Sequence, residues 1–598
     1  MPSDKPVSLR AQAEFASFQA FIACYLREVQ AGQWWTKSEW LAQHDMVPEG
    51  DHIILLSVAN PHTELALDVG YRSVCGRHSI VRAFRKQGKH WQIESLWSVL
   101  LFLVRDLYKH QSHKRKQLEL TWRLSDSFQN IERYLSYWQT REHDKTVNDF
   151  LLSEQALPFG HWMHPTPKSR QGCTDWQQAQ YSPEFQGCFQ LHLFLIERSL
   201  ISQDSALEKN CEHILAELFS RPVGKSFCLI PVHPLQAQWL LAQNTMQHLI
   251  ATGKIKNLGL DGPHFFATSS MRTVYHPALP WMLKLSIPVK LTNSLRQNKL
   301  HELEAGVAVS QLFSHLNPEK AFPRLRFIHD PAYINLTTDS EESGFECIVR
   351  KNPFVGDDGK VYAIAKLTQA PMHANHNSTL RVLIEAFVQD SKFNLREAGL
   401  YWFNQYWDCC IETCINLFDR YGIALEAHQQ NILLKIEHAL PALAWFRDNQ
   451  GYYLCEENKK SFCHWAPKLT HVREVFFPSE HVIERFCYYL IINQLFAVIN
   501  RMGADDIVDE ATLLRFAVNR LRDHQGRCSE RGRALCDYLL HSPTLASKAN
   551  LLTRVNDIDE LEAEHELAIY AKIANPIAAV CNQIDNSLTQ SVEREYAC

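Results

Sequence analysis

The sequence predicts an α+β chain, helical toward both ends and β-rich in the middle. Three observations carry that prediction. Apolar residues recur at three- and four-residue steps in AEFASFQAFIACYLREVQAG and SLWSVLLFLVRDLYKHQ, the spacing of one helix face. Alternating and β-branched segments gather between about 150 and 370: KSFCLIPVHP, HFFATSSMRTVYHP, WMLKLSIPVKLT, FECIVRKNP and KVYAIAKLT. Helical periodicity returns from about 371, in LREAGLYWFNQYWDCCIETCINLFDRYG and DEATLLRFAVNRLRD.

Taken in order, residues 1–150 read as mainly helical, with DHIILLSVAN and SIVRAFRKQ as strands among them. The basic stretch from Lys109 to Lys116 fits a solvated helix end or a local anion site. Residues 151–370 read as a largely antiparallel sheet with helices attached, and Asp358-Gly359 supplies hairpin-turn chemistry between the last two strands. Residues 371–598 read as mainly helical, with one strand–loop–strand insert near 423–456. The sequence shows no internal repeat, low-complexity tract or long linker.

Composition excludes several classes of function. The 598 residues are 46% hydrophobic and 21% charged with a net charge of -5, which suits a large buried core and argues against a nucleic-acid partner. The first residues, MPSDKPVSLRAQAEFASF, contain no apolar leader segment. The run at 96–104 is too short to span a bilayer, and the run at 486–499 is broken by Asn493 and Gln494, so both read as buried helices and no membrane partner is expected. The 17 cysteines include no C-x-x-C pair, and the cluster of Cys409, Cys410 and Cys414 has no second cluster to complete a zinc set. Reduced thiols in a cytoplasm fit best.

The polar constellations are more specific. In GHWMHPTPKSRQG, residues 160–172, two histidines, a lysine and an arginine crowd a segment that Pro165 and Pro167 keep from being an ordinary helix. His161 and His164 could ligate a metal, but there is no H-E-x-x-H helix, and donors without nearby carboxylates suit an anion better. In PVHPLQ, a further His-Pro ends an apolar strand and could equally be a structural turn. Along 267–298, strand geometry would put Ser270 and Arg272 on one face and Thr273 on the other. Leu283, Leu285, Ile287, Val289 and Leu291 would form an apolar face, with Lys284, Ser286 and Lys290 opposite. Thr292 or Asn293 looks like the N-cap of a helix over SLRQNKLHELEAGVAVSQLF, with Arg296 in its first turn, where a cation is unfavourable unless an anion lies in front of it. Ser270, Arg272, Lys284, Thr292 and Arg296 would then make a polyanion pocket, although an exposed strand face with ordinary surface charge fits the same pattern. In GIALEAHQQNILL, Glu426, His428 and Gln430 would share a face if extended, and Asp448 ends the strand in LAWFRDNQG. A His-x-x-Asn loop followed by a strand-end Asp is the pattern by which kinase-like phosphotransferases hold Mg2+ on ATP phosphates.

Six of these motifs, GHWMHPTPKSRQG, PVHPLQ, SSMRTVYHP, KLSIPVKLTNSLR, EAHQQN and FRD, occur in an order that resembles the IucA/IucC family, the NRPS-independent siderophore (NIS) synthetases. The resemblance implies a cupped-hand fold, with a helical thumb over 1–150, β-rich fingers over 151–370 carrying ATP and carboxylate motifs, and a mostly helical palm over 371–598. It implies ATP-dependent adenylation of a carboxylate, citrate or a citryl monoamide, followed by condensation with an amine or alcohol and release of AMP and pyrophosphate. ATP and Mg2+ are the implied cofactors, small-molecule carboxylate and amine the partners, and the cytoplasm the location. By residue, the resemblance assigns ATP binding to Ser270, Arg272, Thr273, Lys284, Arg296, Gln430, Asn431 and Asp448. It assigns the carboxylate to His161, His164, Lys168, Arg170, Thr292, Arg296 and His428, the metal to Glu426, Asn431 and Asp448, and catalysis to His164, Lys284, Arg296 and His428. A homodimer is expected, because family members associate and RVNDIDELEAEHELAIYAKIANPIAAVCNQI reads as helix with exposed apolar positions. The sequence departs from the family pattern at Trp162, where a proline is usual, and at Leu235, where a tryptophan is usual. A kinase-like phosphotransferase, which would release ADP, and a non-catalytic binding protein are the competing readings.

Overall fold

The computed structural model describes the chain except residues 1–7, 60–61, 110–113, 140–148, 223, 339–341, 357–358, 373–375, 449, 557–569 and 597–598, and the side chains of 114 and 587–596. Half of the Lys109–Lys116 stretch, residues 110–113, therefore lies outside the described residues.

The N-terminal region holds more strand than its sequence suggests. A five-stranded antiparallel meander runs in chain order through Gln33–Thr36, His52–Ala59, His62–Tyr71, Ser79–Gln87 and His90–Glu94. Helices Leu9–Glu28, Leu96–Leu107 and Lys114–Gln139 accompany it, and Phe18, Phe21, Tyr25, Leu100 and Leu103 pack with Ile54, Leu56, Leu65 and Leu67 in one core. The strands Gln33–Thr36 and His90–Glu94 contain no buried residue, so an alternating apolar pattern had no reason to appear in them.

The middle of the chain builds an eight-stranded sheet in the order Ile201–Ser205, Ala332–Leu336, Cys347–Lys351, Trp281–Leu285, Thr273–Tyr275, Ile255–Ala267, Cys188–Glu197, Phe227–Val232, and every neighbouring pair is antiparallel. Leu283, Leu285, Ile287, Val289 and Leu291 all enter its core, as their spacing predicts. The strands flanking Asp358-Gly359 do not form a hairpin. Cys347–Lys351 belongs to this sheet, whereas Lys360–Ala363 joins a four-stranded sheet with Ile432–Glu437, Leu440–Arg447 and Leu325–Ile328, and Asp358 itself is outside the described residues.

The helix expected from residue 294 begins six residues later, at Leu300. Residues 290–295 instead form a two-residue hairpin, Lys290–Leu291 against Ser294–Leu295, whose first strand also pairs with Arg170–Gln171. That pairing ties the opening motif to the 281–296 segment through backbone hydrogen bonds, which a helix there would forgo.

Toward the C-terminus helices dominate. Helix Ser479–Ala504 is long and apolar enough to cross a membrane by composition, yet 89% of that window is buried, which makes it a core element. Two stretches, Trp407–Ile411 and Cys487–Leu495, are π-helical. The terminal segment is not one helix. Tyr570–Ala574 is a strand paired with Thr544–Lys548, between helix Asn550–Val555 and a helix that begins at Pro576. Ile577, Ala578, Val580 and Cys581 are buried in the chain's own core, and residues 557–569 of the segment read as a dimer face lie outside the described residues. Every described cysteine is a free thiol.

Candidate active site

A cavity of about 400 Å³ lies where the eight-stranded sheet, the 160–172 loop and the C-terminal helices meet, and all fifteen residues to which the resemblance assigns a role line it. They arrive there by different local devices.

Ser270 and Arg272 are not on a strand. They sit in a tight turn closed by Met271 N–H on the Thr268 carbonyl at 2.8 Å and Thr273 N–H on Ser270 Oγ at 3.1 Å. Met271 takes a positive φ of 66°, and the turn lets Ser270, Arg272 and Thr273 all reach the cavity, where a regular strand would have sent Thr273 away. Arg272 donates to Asn298 Oδ1 at 2.8 Å, and burial lowers its guanidinium to about 10. Lys284 points from the next strand to Asp448 Oδ1, 3.4 Å away. Burial pulls its ammonium down to about 8, against the lift from Asp448.

Thr292 occupies the hairpin turn with φ of 55°. Its carbonyl accepts from the Arg123 guanidinium, and its hydroxyl accepts from Arg296 Nη2 at 2.8 Å. Arg296 is thus held by a turn hydroxyl, not by a helix terminus. The neighbouring Asn293 Oδ1 lies 3.0 Å from His164 Nε2.

The histidines of the motifs share one geometry. In His161, His164, His233 and His428 the ring Nδ1 accepts the backbone N–H two residues on, at 3.1–3.2 Å. In His164, His233 and His428 this fixes the proton on Nε2, whereas at His161 the Asn493 Nδ2 donor lies 3.0 Å from Nε2. His233 uses this to cap helix Pro234–Leu241 and is buried against Tyr181 and Phe189 outside the cavity, so PVHPLQ is a structural turn. Burial lowers the His428 imidazole to about 4, leaving a neutral Nε2–H donor near the Glu426 carboxylate.

The 160–172 segment does have a carboxylate beside it. Glu184, fully buried, pairs with Lys168 and with Arg170 at 2.9 Å. Burial alone would raise the Glu184 carboxyl, and the two cations reverse that. The same burial brings Lys168 down to about 8. Among the described residues no three His, Cys, Asp or Glu side chains are grouped as for a metal, so His161 and His164 have no such set to join.

Asp448, Glu426 and Asn431 converge at the far side. Asn431 Nδ2 donates to the Glu426 carbonyl at 3.0 Å and to Asp448 Oδ2 at 3.1 Å, which leaves its Oδ1 as an acceptor. Two carboxylates and an amide oxygen are the hard oxygen donors with which Mg2+ is held beside substrate phosphates.

Several lining or supporting residues gave no sequence signal. Arg447 pairs with buried Glu154 at 2.8 Å, and Glu154 also holds Ser269 at 2.8 Å. Arg447 stands within FRD, so its place beside Asp448 was available as a hint. Glu154 and Glu184 occupy unremarkable polar positions. Tyr453, Tyr488, Tyr489, Asn493, Lys548, Asn550 and Tyr570 line the cavity from the C-terminal third, outside the recognised motifs.

Known proteins share this architecture. Residues 149–371 match the model of the IucA / IucC family, and residues 400–563 match that of the ferric iron reductase FhuF-like transporters. The chain is 35% identical over 597 residues to spermidine-citrate ligase of Bacillus anthracis, covering 94% of this chain and 98% of that one. It is 34% identical to rhizobactin siderophore biosynthesis protein RhbC of Rhizobium meliloti (strain 1021), covering 72% and 75% of the two chains. The fold superposes on ATP-bound aerobactin synthetase IucA from Klebsiella pneumoniae with a TM-score of 0.83 at 23% identity, over 94% of this chain and 99% of that one. With the ordered motifs gathered around one cavity and relatives matched over nearly their full length, this chain belongs to the IucA/IucC family of siderophore synthetases.

Proposed function

We propose that this protein adenylates a carboxylate, citrate or a citryl monoamide, with ATP, and passes the acyl group to an amine, releasing AMP and pyrophosphate. The observation that carries the reading is the ring of cations and hydroxyls, Arg272, Lys284, Arg296, Thr292 and Ser270, facing two carboxylates and an amide across one cavity. The name of the spermidine-citrate ligase makes citrate and a polyamine the first pair to assay.

The chemistry accounts for the residue types. Bringing citrate to ATP costs about 4 kcal/mol of repulsion for each unit pair at ~4 Å with an effective dielectric near 20. Arg272, Lys284 and Arg296 offset that cost, and Ser270 and Thr273 fix the phosphates. His161, His164, Lys168, Arg170 and Thr292 orient the acid. Glu426, Asn431 and Asp448 would hold Mg2+, which would neutralise phosphate charge. The carboxylate is ionised at pH 7 and needs no base. Its oxygen attacks the α-phosphorus as the bond to pyrophosphate breaks. The neutral amine then attacks the acyl carbon, the C–O bond to AMP breaks, and the amine's proton passes to solvent. His428, neutral with its proton on Nε2, serves as a donor to the acid rather than as a base.

The test is product analysis with ATP, Mg2+, citrate and spermidine. AMP and pyrophosphate are expected, with a citryl hydroxamate when hydroxylamine replaces the amine. ADP as the sole nucleotide product would replace this reading with the kinase-like one.

A further inference from the structure

One side of the cavity is aromatic and its residues lie outside the motifs, bordering them where Tyr489 packs 6.0 Å from the His428 ring and Asn493 Nδ2 lies 3.0 Å from His161 Nε2. Its floor is the π-helical stretch Cys487–Leu495, and Tyr488, Tyr489 and Asn493 of that stretch all line the cavity. An i→i+5 repeat stacks residue 488 over residue 493, which an α-helix would turn apart, and π-helical turns concentrate at functional sites. Tyr453 joins from strand Tyr452–Cys455, and Tyr570 from the C-terminal two-stranded sheet. The ring centroids follow one another at 6.0 Å from Tyr453 to Tyr489, 4.9 Å from Tyr489 to Tyr488 and 6.2 Å from Tyr488 to Tyr570. The wall is therefore continuous, and at its end it already stacks one cation, the Arg485 guanidinium, 4.4 Å from the Tyr570 ring.

We propose that this tyrosine wall seats the amine substrate and selects a linear aliphatic diamine or polyamine over an α-amino acid. The inference rests on the ligase reading above. One amine must be neutral to attack, while a second remains an ammonium. Aromatic faces attract ammonium ions through the ring quadrupole, and methylene runs lie well on rings. A carboxylate gains nothing from the same faces. Lys548 pairs with Tyr570 across the two-stranded sheet and Arg485 stacks on the Tyr570 ring, so both basic residues named at this edge belong to its Tyr570 end.

The test uses the full chain with ATP, Mg2+ and citrate, and offers spermidine, lysine or hydroxylamine as the nucleophile. Hydroxylamine is too small to need the wall, so the ratio of amide to hydroxamate isolates the amine site. Wild type should prefer spermidine to lysine by about tenfold or more, and Tyr489→Leu should lower the spermidine ratio about tenfold, the scale of one desolvated cation–π contact. Tyr489→Phe, which keeps the ring face, should stay within about threefold of wild type. Tyr570→Leu, at a half-buried position, repeats the test if Tyr489→Leu fails to fold. Equal use of lysine and spermidine, or equal ratios for the Leu and Phe variants, would overturn the proposal, as would a variant whose defect lies in the KM for ATP. Calorimetric titration of spermidine into wild type and Tyr570→Leu separates the two readings. Binding that weakens in the variant without any pyrophosphate release in wild type would overturn the ligase reading and keep the wall. Pyrophosphate release with spermidine binding indifferent to Tyr570 would do the reverse.

Discussion

Lys284 owes its titration to its place. Its ammonium is almost wholly buried beside Asp448, and burial brings it to about 8 from the usual lysine range. The group is charged below that value and neutral above it. A phosphate contact made by this ammonium is therefore present at pH 7 and lost as pH rises through about 8, well before an exposed lysine would titrate. kcat/KM for ATP, read as pyrophosphate release, should show an alkaline limb near pH 8, since this ratio reports ionisations of the free enzyme. Lys284→Arg, whose guanidinium stays protonated across the range, should move the limb upward, with a lower plateau because the fork of donors does not replace a point charge. A limb that stays near pH 8 in Lys284→Arg would belong to another group, and Lys168 is the first to test.

The hairpin Lys290–Leu295 holds a strained residue in place. Thr292 is β-branched with a φ of 55°, a conformation that costs about 1–2 kcal/mol outside glycine. The surroundings over-determine it through Arg123 on its carbonyl, and through the contacts of Asn293 with His164 and with the Asn550 carbonyl at 3.3 Å. The strain places the hydroxyl against Arg296. Thr292→Gly should relieve the backbone and leave thermal stability equal or higher by about 1 kcal/mol. The same change should lower hydroxamate formation about tenfold or more, because Arg296 loses its anchor. Full activity in Thr292→Gly would show that the hydroxyl does not set the arginine. This element also marks how far the sequence could be read. The residues around the cavity were legible through the ordered motifs of the family resemblance, since the pattern that sets Lys284 between Leu283 and Leu285 fits a surface-charged strand equally well. The hairpin was not, because a polar stretch before the periodic residues of helix Leu300–Leu316 suits a helix start as well as a turn, and only pairing with Arg170–Gln171 decides between them. Glu184 and the C-terminal tyrosines were hidden for a related reason. Their partners are remote in sequence, and no local pattern encodes such a contact.

Across the whole molecule, the N-terminal sheet is fastened to the C-terminal helices by buried carboxylates. Glu510, the first residue of helix Glu510–Gln525, accepts from Tyr71 Oη at 2.9 Å, Ser73 Oγ at 2.8 Å, the N–H groups of Val74 and Cys75 at 2.6 and 3.0 Å, and Asn500 Nδ2 at 3.1 Å. Glu28, at the end of helix Leu9–Glu28, accepts from the N–H groups of Leu551 and Leu552 at 2.7 and 3.0 Å. Between these fastenings lies Asn550, which lines the cavity and donates to the Met163 carbonyl at 2.8 Å within the opening motif. The N-terminal region, which among the described residues supplies none to the cavity lining, thus supports one wall of it. Glu510→Ala would leave this set of donors buried without their acceptor, and a loss of about 3 kcal/mol is expected. Denaturant unfolding measures that loss, and hydrogen exchange should show it concentrated at residues 71–77. Hydroxamate formation should fall by less than the stability suggests at low temperature and more steeply on warming, as the junction opens before the eight-stranded sheet does. If exchange at 71–77 stays slow and unfolding is unchanged, the carboxylate is dispensable and the two halves are held together by their apolar contacts alone.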